Sequence, residues 1–483
     1  FSTWQELADS ISLKGVSGKV TILVKSNLSI SNTLTLKQPK SNTISSTNTL
    51  TIDGNGFSIS GNLKRELVLL DGIDYVNFKH LNFQNTSTNG NSIGLRFTNQ
   101  ADYNTIDSCS ILLGKITHDA TDTGAYIAFS TNDSLVMANS STNNGIGNII
   151  SYCTMKTSGG VGPRYAVINQ QSSKTYLNTE TQNQFIHNKI QNFYNGVFYM
   201  RYVRGEIVSG NSIDRSDASS NDNPDSTLVI FHLQDMKSAG VHNEISNNTI
   251  SNLPYYSTSL STANTSAYNF IGFKLDNAGG NDTTFLKINN NHFNNIYLAN
   301  SFTGIISDGD SCLQFDENTF NRVFTEGGNS FGVSFTKNHN FQLKKNQFRN
   351  SEFSISGKGY TQIFYLYSNS NSTNFANTLD FNIVDSVSAY YLDAFYIYGT
   401  SDYNLTGNTI TNNSINSSDW TSFKAIYCLQ TGQTNVVSNL IANNNNKGQS
   451  LLVYSENYSA LNEYNFYYNT VVHNASFSSW TGE

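Results

Sequence analysis

The chain is 483 residues long, with 37% hydrophobic, 12% aromatic and only 13% charged residues and a formal net charge of −7. Its 27 tyrosines and 30 phenylalanines exclude the disordered class, which pairs low hydrophobicity with few aromatics. The acidic balance, with no basic run longer than Lys344–Lys345, excludes a nucleic-acid footprint, and no apolar run approaches the roughly 18 residues of a membrane-spanning helix.

The first element in chain order is a short amphipathic helix. "STWQELADSIS" offers a capping box, Thr3 with Glu6, and apolar Trp4, Leu7, Ala8 and Ile11 at helical spacing. Residues 1–20 are therefore assigned to a cap over the open end of the strands behind it, because an exposed strand edge invites association. The chain opens on Phe1 without a signal-peptide pattern, as expected of a processed or excised piece. "KVTILVKSNLSISNTLTL" then alternates apolar and polar residues as strands do. "NTIDSCSI" (104–111) and "NIISYCTM" (148–155) align position for position, which predicts that Cys109 and Cys153 stack. Neighbouring strands lie about 4.8 Å apart, wider than the ~3.8 Å a disulfide wants between Cβ atoms, so two buried thiols are expected. Cys312 and Cys428 have no evident partner, and no CxxC pair or Cys/His cluster points to zinc.

From residue 187 one phrase recurs: "HNKIQNF", "GNSIDRS", "NNTISNL", "NNHFNNI", "ENTFNRV", "KNQFRNS", "GNTITNN" and "YNTVVHN". Its anchors are Asn188, Asn211, Asn248, Asn291, Asn318, Asn346, Asn408 and Asn469, each two positions before an apolar residue. The variable separation is that of a solenoid with loop insertions, and the alternation around each anchor is that of a strand. The expected fold is an all-β right-handed parallel β-helix, read as one elongated domain over 21–483, with insertions near 113–147, 214–230 and 254–285. Asparagine suits the corner of a coil because it tolerates the left-handed region, and its amide, being both donor and acceptor, can hydrogen-bond up the stack as a ladder. At the carboxyl end, "YNTVVHNASFSSWTGE" offers no comparable cap.

The run "GVSGKVTILV … SNTLTL … NTLTIDG … LVLLDGIDYVNFKHLNFQNTS … YNTIDSCSI" (15–111) resembles the opening of right-handed β-helix domains in large cell-surface proteins of Bacteroidetes, and the coils continue in that style to residue 474. The resemblance implies an exported, extracellular module, commonly type IX secreted, acting as an adhesin or a subunit of a surface filament. Its partners would be other copies or domains of the same assembly, or a cell-surface glycan or protein. The motifs that carry the resemblance encode architecture.

For chemistry, the sequence shows no GxSxG, P-loop or HExxH signature. No set of carboxylates suited to glycoside hydrolysis stands out. Asp308 and Asp310 in "SDGDS" form a weak calcium candidate, with Asp316 and Glu317 nearby; otherwise no cofactor is expected. A polysaccharide lyase would need a base and a cation to neutralise a uronate. The best basic group for that is Arg201 and Arg204 in "YMRYVRGE", with Arg164, Lys237 and His232 as further members. His187, His242 and His292 sit beside anchors, as turn residues would. Dense tyrosines offer a binding face, Tyr255, Tyr256, Tyr365, Tyr367, Tyr396 and Tyr398 among them, since tyrosine joins a broad apolar ring to a hydroxyl. The reading from sequence is a non-catalytic surface module, with a polysaccharide lyase or other glycan-cleaving β-helix enzyme as the alternative.

Overall fold

The computed structural model describes residues 1–40, 43–116, 122–130, 143–160, 162–171, 180–215, 227–236, 240–253, 269–280, 284–354, 359–370, 376–419, 422–429, 431–447, 450–456 and 463–473. It is an all-β right-handed parallel β-helix, with one helix among the described residues. The chain forms two compact units, Phe1–Ser257 with Thr283–Leu286, and Thr258–Asp282 with Lys287–Glu483. The helix is Trp4–Lys14; Thr3 accepts from the Glu6 amide at 3.1 Å, and Trp4, Leu7, Ala8 and Ile11 form its buried face. The Glu6 carboxylate closes the box on Ser2, one residue before the cap, receiving the Ser2 amide at 2.8 Å.

In each unit the strands cycle through three parallel sheets, and every strand pairs with its counterpart one coil on. In the first unit, Gln184–Ile186 of the first sheet pairs with Ile207–Ser209, Lys189–Gln191 of the second with Ser212–Asp214, and Gly196–Arg201 of the third with Thr227–Gln234. The interior is filled by rings repeated at one register. Phe198 stacks on Phe231 at 5.4 Å in the first unit; in the second, Phe293, Phe320 and Phe348 stack at 4.8 and 4.7 Å. Such pairs contribute about 0.5–1.5 kcal/mol each beyond the area they bury.

The anchors lie at the two-residue turns between first and second sheets. Asn188 donates its backbone N–H (2.9 Å) and its Nδ2 (3.0 Å) to Asn211 Oδ1, and Asn211 does the same to Asn248 at 3.0 and 2.8 Å. In the second unit the series runs Asn291, Asn318, Asn346, Asn382, Asn408, Asn439, Asn469. Each Nδ2 also reaches a main-chain carbonyl, as Asn318 does to Ile288 at 2.8 Å, so one side chain satisfies three groups that burial would otherwise leave unpaired.

Contrary to expectation, the left-handed residue is not the anchor asparagine but the residue before it: His187 (φ 57°), Asn247 (58°), Asn290 (53°), Glu317 (59°), Lys345 (55°) and Tyr468 (56°). The anchor itself stays outside the left-handed region, so that its N–H and side chain point along the stack together. In earlier coils cysteine takes the anchor's place. The pairings Ser110↔Thr154 and Thr154↔Lys189 put Cys109, Cys153 and Asn188 in one column, and the Cys153 amide donates to Asn188 Oδ1 at 2.9 Å. All four cysteines are buried and free. The neighbouring Cys153 and burial push the Cys109 thiol far above its ordinary range.

A second ladder precedes the first sheet in the first unit: Asn104 to Asn148, Asn148 to Asn183, Asn183 to Glu206, and Glu206 to Asn243. Glu206 is the one acid in that column. Its carboxyl receives Thr181 Oγ1, Asn183 and, at 2.9 Å, Asn169 Nδ2. Burial nonetheless pushes it up to about 8.

Candidate functional site

Two-residue turns join the first sheet to the second, whereas residues 114–124, 130–148, 171–183, 215–226 and 235–243 all begin or end at strands of the third sheet. Long connections are where binding groups gather, which directs attention to that sheet's outer face. Alternation decides what the face carries. In Gly196–Arg201, Phe198 and Met200 point into the coil, and Val197, Tyr199 and Arg201 take the opposite parity; of these only Arg201 is partly exposed, Tyr199 being buried in a cluster with Tyr165, Ile168, Ile93, Ala125 and Ala128. In Thr227–Gln234, Phe231 and Leu233 point in, and His232 and Gln234 point out. The register sets Ile168, Tyr199 and His232 side by side, and likewise Gln170, Arg201 and Gln234.

On this face His232 meets Tyr199 edge-on at 5.2 Å, and the Tyr165 ring lies 5.4 Å from Tyr199 on the other side. The Tyr165 ring fits there because Gly196 has no side chain; a Cβ would come within 2.8 Å of it and 2.3 Å of the Val229 carbonyl. The Tyr199 hydroxyl donates to Gln234 Oε1 at 3.0 Å. Arg201 donates Nε to Asp235 at 3.0 Å and places an Nη at 3.0 Å from the same oxygen, while its guanidinium lies 4.8 Å from the Tyr202 ring centre. Burial raises the Tyr199 and Tyr202 phenols, favouring their protonated forms. For Arg201, burial works against the charge, but Tyr199, Asp235 and Tyr202 outweigh it and hold the guanidinium protonated. The site thus combines a fixed cation, a phenol that keeps its proton and the His232 imidazole.

The structure brings together part of the basic group read from sequence. Arg201 and His232 share this face. Arg164 lies at the other end of its strand, donating to the Asp122 carbonyl at 3.3 Å, and Arg204 belongs to the turn that Thr181 ties down. Lys237 lies outside the described residues. Tyr199, Tyr202, Gln234 and Asp235 were missed, although aligning "FYMRY" (198–202) with "FHLQD" (231–235) would have paired Tyr199 with His232 and Tyr202 with Asp235.

In the second unit the outer face of the third sheet is a tyrosine array. Tyr365, Tyr396, Tyr427 and Tyr454 follow one another at 5.4, 5.4 and 5.0 Å; Tyr367 stacks on Tyr398 at 4.8 Å and Tyr360 on Tyr391 at 4.6 Å. Lys424 holds Asp393 at 3.1 Å among them, with Gln362 on the other carboxylate oxygen at 3.0 Å. Within the array the ring faces are largely covered by neighbouring rings, and a ligand would meet mainly edges and hydroxyls rather than the broad apolar surface anticipated. Tyr255 and Tyr256 lie outside the described residues.

Asp308 is exposed at a strand end, while buried Asp310 turns one oxygen to the Ala278 amide and the other to Ser307 Oγ, both at 2.6 Å. Asp316 accepts from Gln314 and the Lys344 amide, and Glu317 pairs with Lys345 at 2.9 Å. Among the described residues no group of three or more His, Cys, Asp or Glu is placed to hold a metal ion, and no helix is long and apolar enough to cross a membrane.

No family model and no curated protein matches the sequence. Among solved structures the chain is similar to the A-module of an Azotobacter vinelandii mannuronan C-5 epimerase, at 9% identity and TM-score 0.33 over 98% of this chain and 94% of that one. It is also similar to a periplasmic alginate epimerase (10%, TM-score 0.33, covering 97% and 83%) and a Yersinia enterocolitica family 28 exopolygalacturonase (8%, TM-score 0.30, covering 96% and 74%). At this level the likeness speaks to the fold. These parallel β-helix neighbours are themselves described as enzymes, which stands against the expectation of a non-catalytic module. That expectation came from the resemblance to surface proteins and from finding no converging carboxylates; the basic group weighed for a lyase held Arg201 and His232 but not Tyr199.

Proposed function

We propose that this protein acts on an acidic polysaccharide, removing the proton next to a uronate carboxylate at the Tyr199–Arg201–His232 face. The observation that carries the reading is a half-buried guanidinium fixed by Asp235 and a half-buried imidazole, gathered around the buried Tyr199 phenol. Arg201 pairs with the sugar carboxylate and disperses the charge that develops when the neighbouring C–H proton leaves. His232 takes that proton. Tyr199, held protonated and aligned by Gln234, donates to the glycosidic oxygen, so that the C–O bond breaks as the C=C bond forms and an unsaturated sugar end results. This is lyase chemistry, the alternative that sequence left open. The resemblance to Bacteroidetes surface β-helices supports placing the work outside the cell, as part of a surface assembly.

The test is incubation of the full chain with polygalacturonate and with alginate, following ultraviolet absorbance of the unsaturated product. Absorbance that rises with the parent chain and not with Arg201→Gln supports the reading. No turnover of either polymer, with no change in its sugar composition, refutes it.

A further inference from the structure

The second sheet of the second unit carries a separate depression, of about 250 Å³, lined by His292, Asn294, Thr319, Asn321, Gln347 and Arg349 over a floor of Phe320. It forms because the second-sheet strands bend at a left-handed residue in each coil: Asn295 (φ 55°), Arg322 (59°) and Asn350 (49°). The strands His292–Leu298, Thr319–Thr325 and Gln347–Phe353 are in register, so two columns face the hollow: His292, Thr319, Gln347, and Asn294, Asn321, Arg349. The walls are amides, a hydroxyl and an imidazole, partly engaged with one another. His292 Nδ1 lies 2.7 Å from Thr319 Oγ1, and Asn321 Nδ2 donates to Asn294 Oδ1 at 3.3 Å.

Arg349 is the exception. Its Nε is buried without a hydrogen-bond partner, and no carboxylate among the described residues pairs with it. Asp385, its neighbour in register, is turned away, accepting from Thr411 and Asn412 at 2.8 Å each. A buried donor left unmatched is costly, and Arg349 is the one arginine or lysine lining the hollow. We infer that this hollow is a subsite for one carboxylated sugar, Arg349 taking the carboxylate and the amides of Asn294, Asn321 and Gln347 taking the ring hydroxyls. Guanidinium matches carboxylate in a two-pronged geometry, and carboxamides serve hydroxyls as both donor and acceptor. The class of sugar rests on the proposed function; the residues are distinct from those of the Tyr199 face.

The probe is a galacturonate trisaccharide, titrated into the full chain bearing Tyr199→Phe and Arg201→Gln so that the Tyr199 face neither binds nor turns it over. Saturation-transfer NMR and calorimetry read binding. Binding is expected to persist in that background and to fall at least tenfold when Arg349→Gln is added, while a neutral dextran trisaccharide and inorganic sulfate show none. Arg349→Lys, which keeps the charge, is expected to recover part of the affinity and guards against a folding defect, checked by far-UV circular dichroism. Equal uronate affinity with and without Arg349→Gln, or binding of dextran or sulfate as strong as that of the uronate, overturns the inference. Because this titration reads binding alone, in a background where the Tyr199 face is disabled, its failure is separable from failure of the lyase reading, which is read by polymer turnover of the parent chain.

Discussion

Asn318→Ala is the sharpest perturbation of the fold. The substitution deletes the acceptor that Asn291 uses twice, through its backbone N–H and its Nδ2, each at 3.0 Å, and the donor that satisfies the Ile288 carbonyl at 2.8 Å. Asn318 is fully buried, so water does not replace these partners. Two main-chain groups are left unpaired, and at about 1–3 kcal/mol for each buried unsatisfied group the expected loss is roughly 2–5 kcal/mol after partial relaxation. Urea unfolding followed by far-UV circular dichroism measures it, with Asn321→Ala as the comparison because that amide is half-exposed on the outer face. The comparison variant should change by no more than about 0.5 kcal/mol. Because stacked coils unfold as coupled units, the fit should allow nearest-neighbour terms. If Asn318→Ala proves no more costly than Asn321→Ala, the ladder is decoration and the explanation of the recurring phrase is wrong.

Glu206 gives the fold a pH dependence. Burial raises its carboxyl from 4.5 to about 8, so the native state binds the proton more tightly than the unfolded chain. Stability is then full below about pH 4.5 and is lost as pH rises toward about 8; urea midpoints should decline over that window, and less so in Glu206→Gln. The buried thiols of Cys109 and Cys153 should resist a thiol-specific reagent in native buffer and react fully in urea; a disulfide found by mass spectrometry in the native chain would contradict this. Gly196→Ala should cost about 1–3 kcal/mol and displace Tyr165, because the new Cβ meets the Val229 carbonyl, which belongs to a paired strand and cannot step aside. Near-ultraviolet circular dichroism would register the tyrosine movement, and an unchanged spectrum would refute it.

The architecture was legible because each coil repeats one physical problem and solves it with the same residue. Eight anchors could be read directly, and Asn382 and Asn439, in "FNIV" and "SNLI", carry the same signal with Phe381 and Ser438 in the left-handed position. That position accepts His, Glu, Lys, Phe or Tyr, so composition could not locate it. The helix was legible for a similar reason, since Thr3, Glu6 and the apolar stripe are local in sequence. The Tyr199 face was only half legible. Arg201 announces itself as a charge, but Asp235 and Gln234 lie a coil away, and only the pairing of Arg201 with Gln234 brings them to it. Exposure of the tyrosines could be inferred from alternation, whereas the stacking that hides their faces depends on register between coils.

Cleavage of a uronate polymer at the Arg201–His232–Tyr199 site, with Tyr199 donating to the glycosidic oxygen, is tested most directly by Tyr199→Phe. The variant removes one hydroxyl, which donates to Gln234, and leaves the ring in place, so unfolding should be nearly unchanged. Turnover of polygalacturonate or alginate by the parent, lost by about a hundredfold or more in Tyr199→Phe with affinity for the polymer retained, is the predicted result. Turnover in the variant equal to that of the parent would contradict it.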